Sequence, residues 1–96
     1  VIFLSGTIAC DGNESDWTLN EGNGERTYTR RVMFKAAFSN VPMVTVGLTG
    51  LDVSSGATKV YVGAANIDAT GFDLEVKTWA DTRVWAVVVN WLTIGL

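Results

Sequence analysis

The run GFDLEVKTWADTRVWAVVVNWLTIG, residues 71–95, decides how the rest of the chain must fold. Its first half alternates strictly, with Phe72, Leu74 and Val76 on one side of an extended strand and Asp73, Glu75 and Lys77 on the other. Side chains change face at every residue of a strand, so this is a half-buried strand with one wet face. After a turn through Thr78-Trp79-Ala80-Asp81-Thr82, the second half is apolar on both phases. Val84, Ala86, Val88, Leu92 and Ile94 make one phase; Trp85, Val87, Val89 and Trp91 make the other. A strand apolar on both faces has to be covered on both. In so short a chain the second cover is expected from another subunit, with Val87, Val89 and Trp91 as the contact and Trp79 and Trp85 at its rim.

Working outward, the remainder also reads as short strands joined by turns. Val1–Cys10 sets Ile2, Leu4, Ile8 and Cys10 in one phase. The stretch from Asp11 to about Thr27 is rich in Gly, Asn, Asp, Ser and Glu and reads as a loop. It is longer than most connections in a compact domain, and such loops are usually functional or disordered. A second strand is expected over about Thr29–Phe38, with Val32, Phe34, Ala36 and Phe38 inward. Pro42 opens a third, where Val44, Val46 and Leu48 alternate with Thr45, Gly47 and Thr49. Asp52–Thr58 is a turn, and a fourth strand over Lys59–Ile67 points Val60, Val62 and Ala64 inward. No window keeps a helical apolar stripe without also keeping alternation. The expected architecture is all-β: a six-stranded antiparallel β-sandwich, one domain over residues 1–96.

Composition narrows the function. A chain of 96 residues, 48% hydrophobic and 18% charged, is globular, yet small enough to benefit from oligomerisation. Its net charge of −3 offers no basic stripe to neutralise phosphates, so nucleic acid is not the expected partner. No apolar run reaches the length of a membrane-spanning helix, so membrane insertion is not expected. The sequence begins at Val1 without methionine, which suggests a processed product or fragment, with removal of a secretory signal the favoured explanation. Asn13-Glu14-Ser15 is an N-glycosylation acceptor in a turn-rich loop and fits secretion. Cys10 is the single cysteine, either a buried small hydrophobe or a link to another chain.

The chain holds no histidine, which removes Ser-His-Asp and Cys-His nucleophile systems and the usual zinc sites. Asp73 and Glu75 share one strand face about 7 Å apart, but glycosidase chemistry needs a carboxylic acid in an apolar pocket. Beside Lys77 they read as a solvated face, and no enzyme is expected. Asp11–Asp16 resembles the start of a calcium loop, but Asp16 stands where glycine is needed and Gly22 where glutamate is, so it reads as a turn. No metal or cofactor is expected. A sugar site is easier to assemble. A galactose-type ring offers an apolar face to stack on an aromatic side chain and hydroxyls to charged or amide groups. Trp79, Trp85, Lys59 and the polar loop Asn20–Arg26 supply those parts, while Trp17 and Trp91 read as packing.

Taken in order, Ser5-Gly6-Thr7-Ile8, Trp17, Phe34, Pro42-Met43-Val44, Leu51-Asp52-Val53, Thr70-Gly71-Phe72, Thr78-Trp79 and Asn90-Trp91-Leu92 resemble the H-type lectin domain of snail agglutinins and discoidins, and of octocoral-like galactose lectins. The resemblance runs nearly end to end. It implies a six-stranded sandwich assembled as a trimer, often doubled into a hexamer, that binds terminal galactose or N-acetylgalactosamine in clefts between subunits. The loop residue of that site maps to Asn23, with Gly24 or Glu25 taking its place under a shift of one or two residues. The basic residue at the start of the fourth strand maps to Lys59, the Thr-Trp turn to Thr78-Trp79, and the aromatic early in the last strand to Trp85. Departures touch the same site: Ala80 stands where snail lectins carry His, and Lys59 where they carry Arg. A lysine is a point charge where arginine is a planar fork. The snail intrachain disulfide is missing: Cys10 matches one half but the other half falls at Val76, and the cysteine joining snail trimers maps to Ser39.

The resulting expectation is a secreted, multivalent lectin for cell recognition or agglutination. Its site residues are Asn23, Gly24, Glu25, Lys59, Trp79, Ala80 and Trp85, with a glycan on Asn13. The rival is a structural or adhesion module on the same fold, whose tryptophans only pack the assembly.

Overall fold

The computed structural model of the chain describes residues 1–54 and 56–96. Six strands follow one another: β1 (Ile2–Asp11), β2 (Arg26–Met33), β3 (Met43–Ser54), β4 (Val60–Asp68), β5 (Gly71–Thr78) and β6 (Arg83–Gly95). They form two antiparallel three-stranded sheets, β1-β6-β3 and β2-β5-β4, so the expected six-stranded sandwich is present. The two halves of the run 71–95 become the central strands of the two sheets.

Phe72, Leu74 and Val76 of β5 are fully buried and meet Val84, Val87 and Val89 of β6 across the sandwich core. Phe34 and Trp91 close one end, with Phe34 lying 6.0 Å from Phe72 and 5.9 Å from Trp91 by ring centroids. Trp91 lies flat over Gly6, where a Cβ would come within 2.7 Å of the indole. Trp17 packs with Tyr28, ring centroids 5.0 Å apart, and donates its indole N–H to the Val84 carbonyl at 2.9 Å. Cys10 is 1% exposed and lies in this core with Val76. It is the buried small hydrophobe of the two alternatives.

Three expectations are corrected. First, β2 runs over Arg26–Met33 and stops before Phe34. Phe34 and Phe38 are buried, but from an irregular segment whose amides donate to Thr70 and Ala69 carbonyls, and Ala36 is exposed. Aromatic anchoring of a non-strand segment mimics alternation over a few residues. Second, β3 continues to Ser54, and its alternation breaks where Thr49 is bulged out between the pairs Leu48–Val89 and Gly50–Val88, leaving Leu48 exposed. Third, the faces of β6 are exchanged. Val87 and Val89 belong to the chain's own core, and Trp91 packs on Phe34 and Phe72. The face without intramolecular cover carries Val88, Asn90, Leu92 and Ile94.

That outer face is legible from the register. Phe3–Ile94–Met43 forms one row, Ser5–Leu92–Thr45 the next, Thr7–Asn90–Gly47 the third, and Asp11–Ala86–Asp52 lies at the far end. Met43 is 76% and Phe3 62% exposed, so the first row is an apolar surface facing outward.

Candidate functional site

The connection between β1 and β2 is held in place by its own side chains. Leu19 is fully buried and Trp17 nearly so, both plugging one end of the sandwich. Glu14 accepts a hydrogen bond from the Asp11 amide at 2.9 Å and another from the Tyr28 hydroxyl. Burial, then that bond to Glu14, raise the Tyr28 pKa and keep the phenol protonated. Leu19 also accepts from the Val84 amide at 2.8 Å, which fixes the loop to the start of β6.

Beyond Leu19 the chain turns through Gly22 and Gly24, both with positive φ, a conformation glycine adopts without a Cβ penalty. Arg26 organises this turn. Its Nε donates to the Gly24 carbonyl at 2.9 Å, one Nη to the Glu21 carbonyl at 2.7 Å, and the other to the Ala80 carbonyl at 2.8 Å. The Gly24 amide donates to that same Ala80 carbonyl at 3.0 Å. The Asn23–Glu25 loop and the Trp79-Ala80 turn of one chain are therefore joined directly. Ala80 itself has φ 58°, which strains an L-residue and aims its carbonyl at Arg26.

Lys59 enters from the adjacent strand end. Its carbonyl accepts from the buried Thr78 hydroxyl at 2.6 Å, and its amide donates to the Thr82 hydroxyl at 3.2 Å. Asn23, Gly24, Glu25, Lys59, Trp79 and Ala80 thus gather at one end of the β2-β5-β4 sheet, where Arg26, Thr78 and Val60 sit side by side in the register. Trp79 is 41% exposed there.

Trp85 is separate from this group. Ala86 pairs with both Asp11 and Asp52, and the next pair on β3 is Val53–Val84, so Trp85 is a bulged residue on β6. The bulge throws its ring outward from a strand whose neighbouring residues Val84 and Val87 face the core. Its indole N–H donates to the Ser54 hydroxyl at 2.9 Å, and its carbonyl accepts from the Gly12 amide at 3.0 Å. Asn13, the first residue of the Asn13-Glu14-Ser15 triplet, is exposed in the adjoining turn, with its backbone amide donating to the Asp11 carboxylate at 2.9 Å. Arg26, which the sequence offers only as the last residue of the polar loop Asn20–Arg26, is the residue that organises the turn. Asp73 is engaged elsewhere, paired with Arg31 at 3.3 Å and accepting from the Asn66 side-chain carboxamide at 2.8 Å.

Comparison with known proteins fits this arrangement. The H-type lectin domain family matches residues 29–94, from β2 through β6. The chain belongs to that family. A protein of Fuscovulum blasticum described as ATP synthase subunits region ORF 7 is 42% identical over 86 residues, covering 88% of this chain and 71% of that one. Discoidin-2 of Dictyostelium discoideum is 32% identical over 81 residues, spanning 82% of this chain and 32% of the longer discoidin. The native structure of recombinant discoidin II from the same organism superposes with a TM-score of 0.88 at 28% identity, over 98% of this chain and 36% of that one. The molecule is accordingly a carbohydrate-binding lectin domain, equivalent in extent to about a third of a discoidin.

Proposed function

We propose that this lectin domain recognises terminal galactose or N-acetylgalactosamine outside the cell, as a trimer or a hexamer of two trimers, in agglutination or cell recognition. Sugar sits in clefts between subunits, contacted by Trp79, Lys59, Ala80 and the Asn23–Glu25 loop, with Trp85 supplying a second aromatic ring. The observation that carries this reading is the gathering of loop, lysine and tryptophan at one sheet end, locked by Arg26 and the Ala80 carbonyl. A rigid loop loses little freedom when a ligand binds. Trp79 offers a flat apolar face, Glu25 a charge-assisted acceptor for hydroxyls and Lys59 a donor.

Multivalency follows from the outer face of β1-β6-β3. The apolar row Phe3–Ile94–Met43, with Leu92 beside it, favours burial against further copies. One monosaccharide site binds weakly, and several on a rigid assembly raise the effective strength by about 10²–10⁴. Retention on galactose- or N-acetylgalactosamine-agarose with elution by free sugar tests the reading, and Lys59→Ala should elute earlier. An assembled protein that passes through both resins would leave the adhesion module, which the exposed apolar row alone would serve. Modification of Asn13 belongs to the same reading and is checked by the mass of the protein made in a eukaryotic secretory host.

A further inference from the structure

The cavity of about 290 Å³ beside Trp85, between Asp11 and Asp52, belongs to the intersubunit cleft proposed above. The outward face of the β2-β5-β4 sheet has no part in that cleft. Val60 pairs with the inward Thr78 at its site end, so alternation puts their strand neighbours Tyr61 and Lys77 on the outward side. Lys59 precedes Tyr61 by two residues, and Trp79 follows Lys77 by two. Residues two apart on a strand are about 7 Å from each other. The Lys59–Trp79 group therefore leads into the row Tyr61–Lys77–Thr27, and that row into Gly63–Glu75–Thr29. We infer that this face is an extended subsite, on which a glycan with its terminal sugar in the cleft lays its next pyranose over Tyr61. It rests on the lectin reading above, and its ligand is a galactose-terminated disaccharide or longer chain rather than the monosaccharide alone.

Tyr61 is laid down as a platform. It is 47% exposed, yet Gly63, on the same outward phase, is buried, because the Tyr61 side chain lies over it. A Cβ at position 63 would overlap the Tyr61 hydroxyl, so the glycine is what lets the ring rest along the strand. The apolar face of a pyranose stacks on such a ring. Lys77 holds its ammonium 5.7 Å from the ring centroid, a donor for hydroxyls beside the platform. Glu75, half-buried in the next row, has no hydrogen bond or ion pair among the described residues. Its carboxylate is left to accept from sugar hydroxyls, with Thr27 and Thr29 exposed on the far side of both rows. One row further, Asp73 is closed off by Arg31 at 3.3 Å and by the Asn66 carboxamide at 2.8 Å. The free polar groups end there, and two rows about 7 Å apart hold one further ring, not a long oligosaccharide.

Calorimetry on the intact assembly tests this by comparing galactose and N-acetylgalactosamine with disaccharides that carry them at the non-reducing end in different linkages. At least one disaccharide should bind about threefold to tenfold tighter than its terminal monosaccharide. Tyr61→Ala should remove that gain and leave the monosaccharide affinity as it was. Gly63→Ala, which keeps the tyrosine but displaces its ring, should do the same, and Glu75→Gln should lose part of the gain. A panel in which no disaccharide exceeds its monosaccharide overturns the inference. So does a gain that survives in both Tyr61→Ala and Gly63→Ala when light scattering shows that these variants assemble like the native protein. In either case monosaccharide binding leaves the lectin reading standing, whereas a protein that binds none of these sugars loses both.

Discussion

At the scale of single residues, Ala80 carries the clearest strain. Its left-handed backbone costs an L-residue about 1–2 kcal/mol, and it persists because its carbonyl is shared between Arg26 and the Gly24 amide. Ala80→Gly should therefore raise stability by about 0.5–1 kcal/mol, read as a higher urea midpoint with unchanged slope. Histidine adopts this region more readily than most residues, so Ala80→His should fold normally and strengthen galactose binding; unchanged affinity would show that this position does not reach the sugar. Cys10 is the contrasting case, a thiol sealed in the core. Burial raises its pKa, and with 1% exposure it should resist a thiol-specific reagent such as dithionitrobenzoate in the native state and react fully in guanidinium. Burial of Cys10 was one of the two readings the sequence offered, whereas φ at Ala80 was not visible there because it depends on partners from other strands.

At the scale of elements, strand period located β1, β4, β5 and β6 closely, because each keeps one buried phase. It failed where the backbone leaves the period. The bulges at Thr49 and Trp85 shift phase by one residue, and period counting has no signal for that. The same limit explains why β6 was assigned its outer face wrongly: apolar residues on both phases say that two covers exist, not which one is intramolecular. The β4–β5 hairpin gives a prediction at this scale. Asp68 accepts from the Thr70 hydroxyl at 2.6 Å, the Thr70 amide at 2.7 Å and the Gly71 amide at 3.0 Å, and it pairs with Arg31 at 2.7 Å. The hydroxyl and amide of Thr70, then Arg31, lower its pKa from 3.8 to about 2. A depressed carboxylate contributes stability that is fully present above its unfolded pKa and is lost as pH falls through the folded one. The stability gap between the native protein and Asp68→Asn should hold above pH 3.8 and close as pH falls to about 2, as followed by urea unfolding.

At the scale of the whole molecule, the two sheets divide the work. The β2-β5-β4 sheet presents the Lys59–Trp79 group at one end, while the β1-β6-β3 sheet presents an apolar row at one end and the Trp85 cavity at the other. Sequence pattern and family resemblance made the sandwich and the first group legible. The cavity beside Trp85 was not, since Asp11 and Asp52 lie far apart in the chain and meet only through the register around Ala86. Assembly through the outer face predicts a mass of three or six chains by light scattering, reduced to one by Met43→Asp with Leu92→Asp. The claim on which the rest depends is sugar recognition, and a glycan array probed with the intact chain tests it most directly. The account predicts signal on glycans ending in galactose or N-acetylgalactosamine, competed by the free sugars and lost in a Trp79→Ala, Trp85→Ala double variant. A folded, assembled protein that binds no glycan on the array would contradict it.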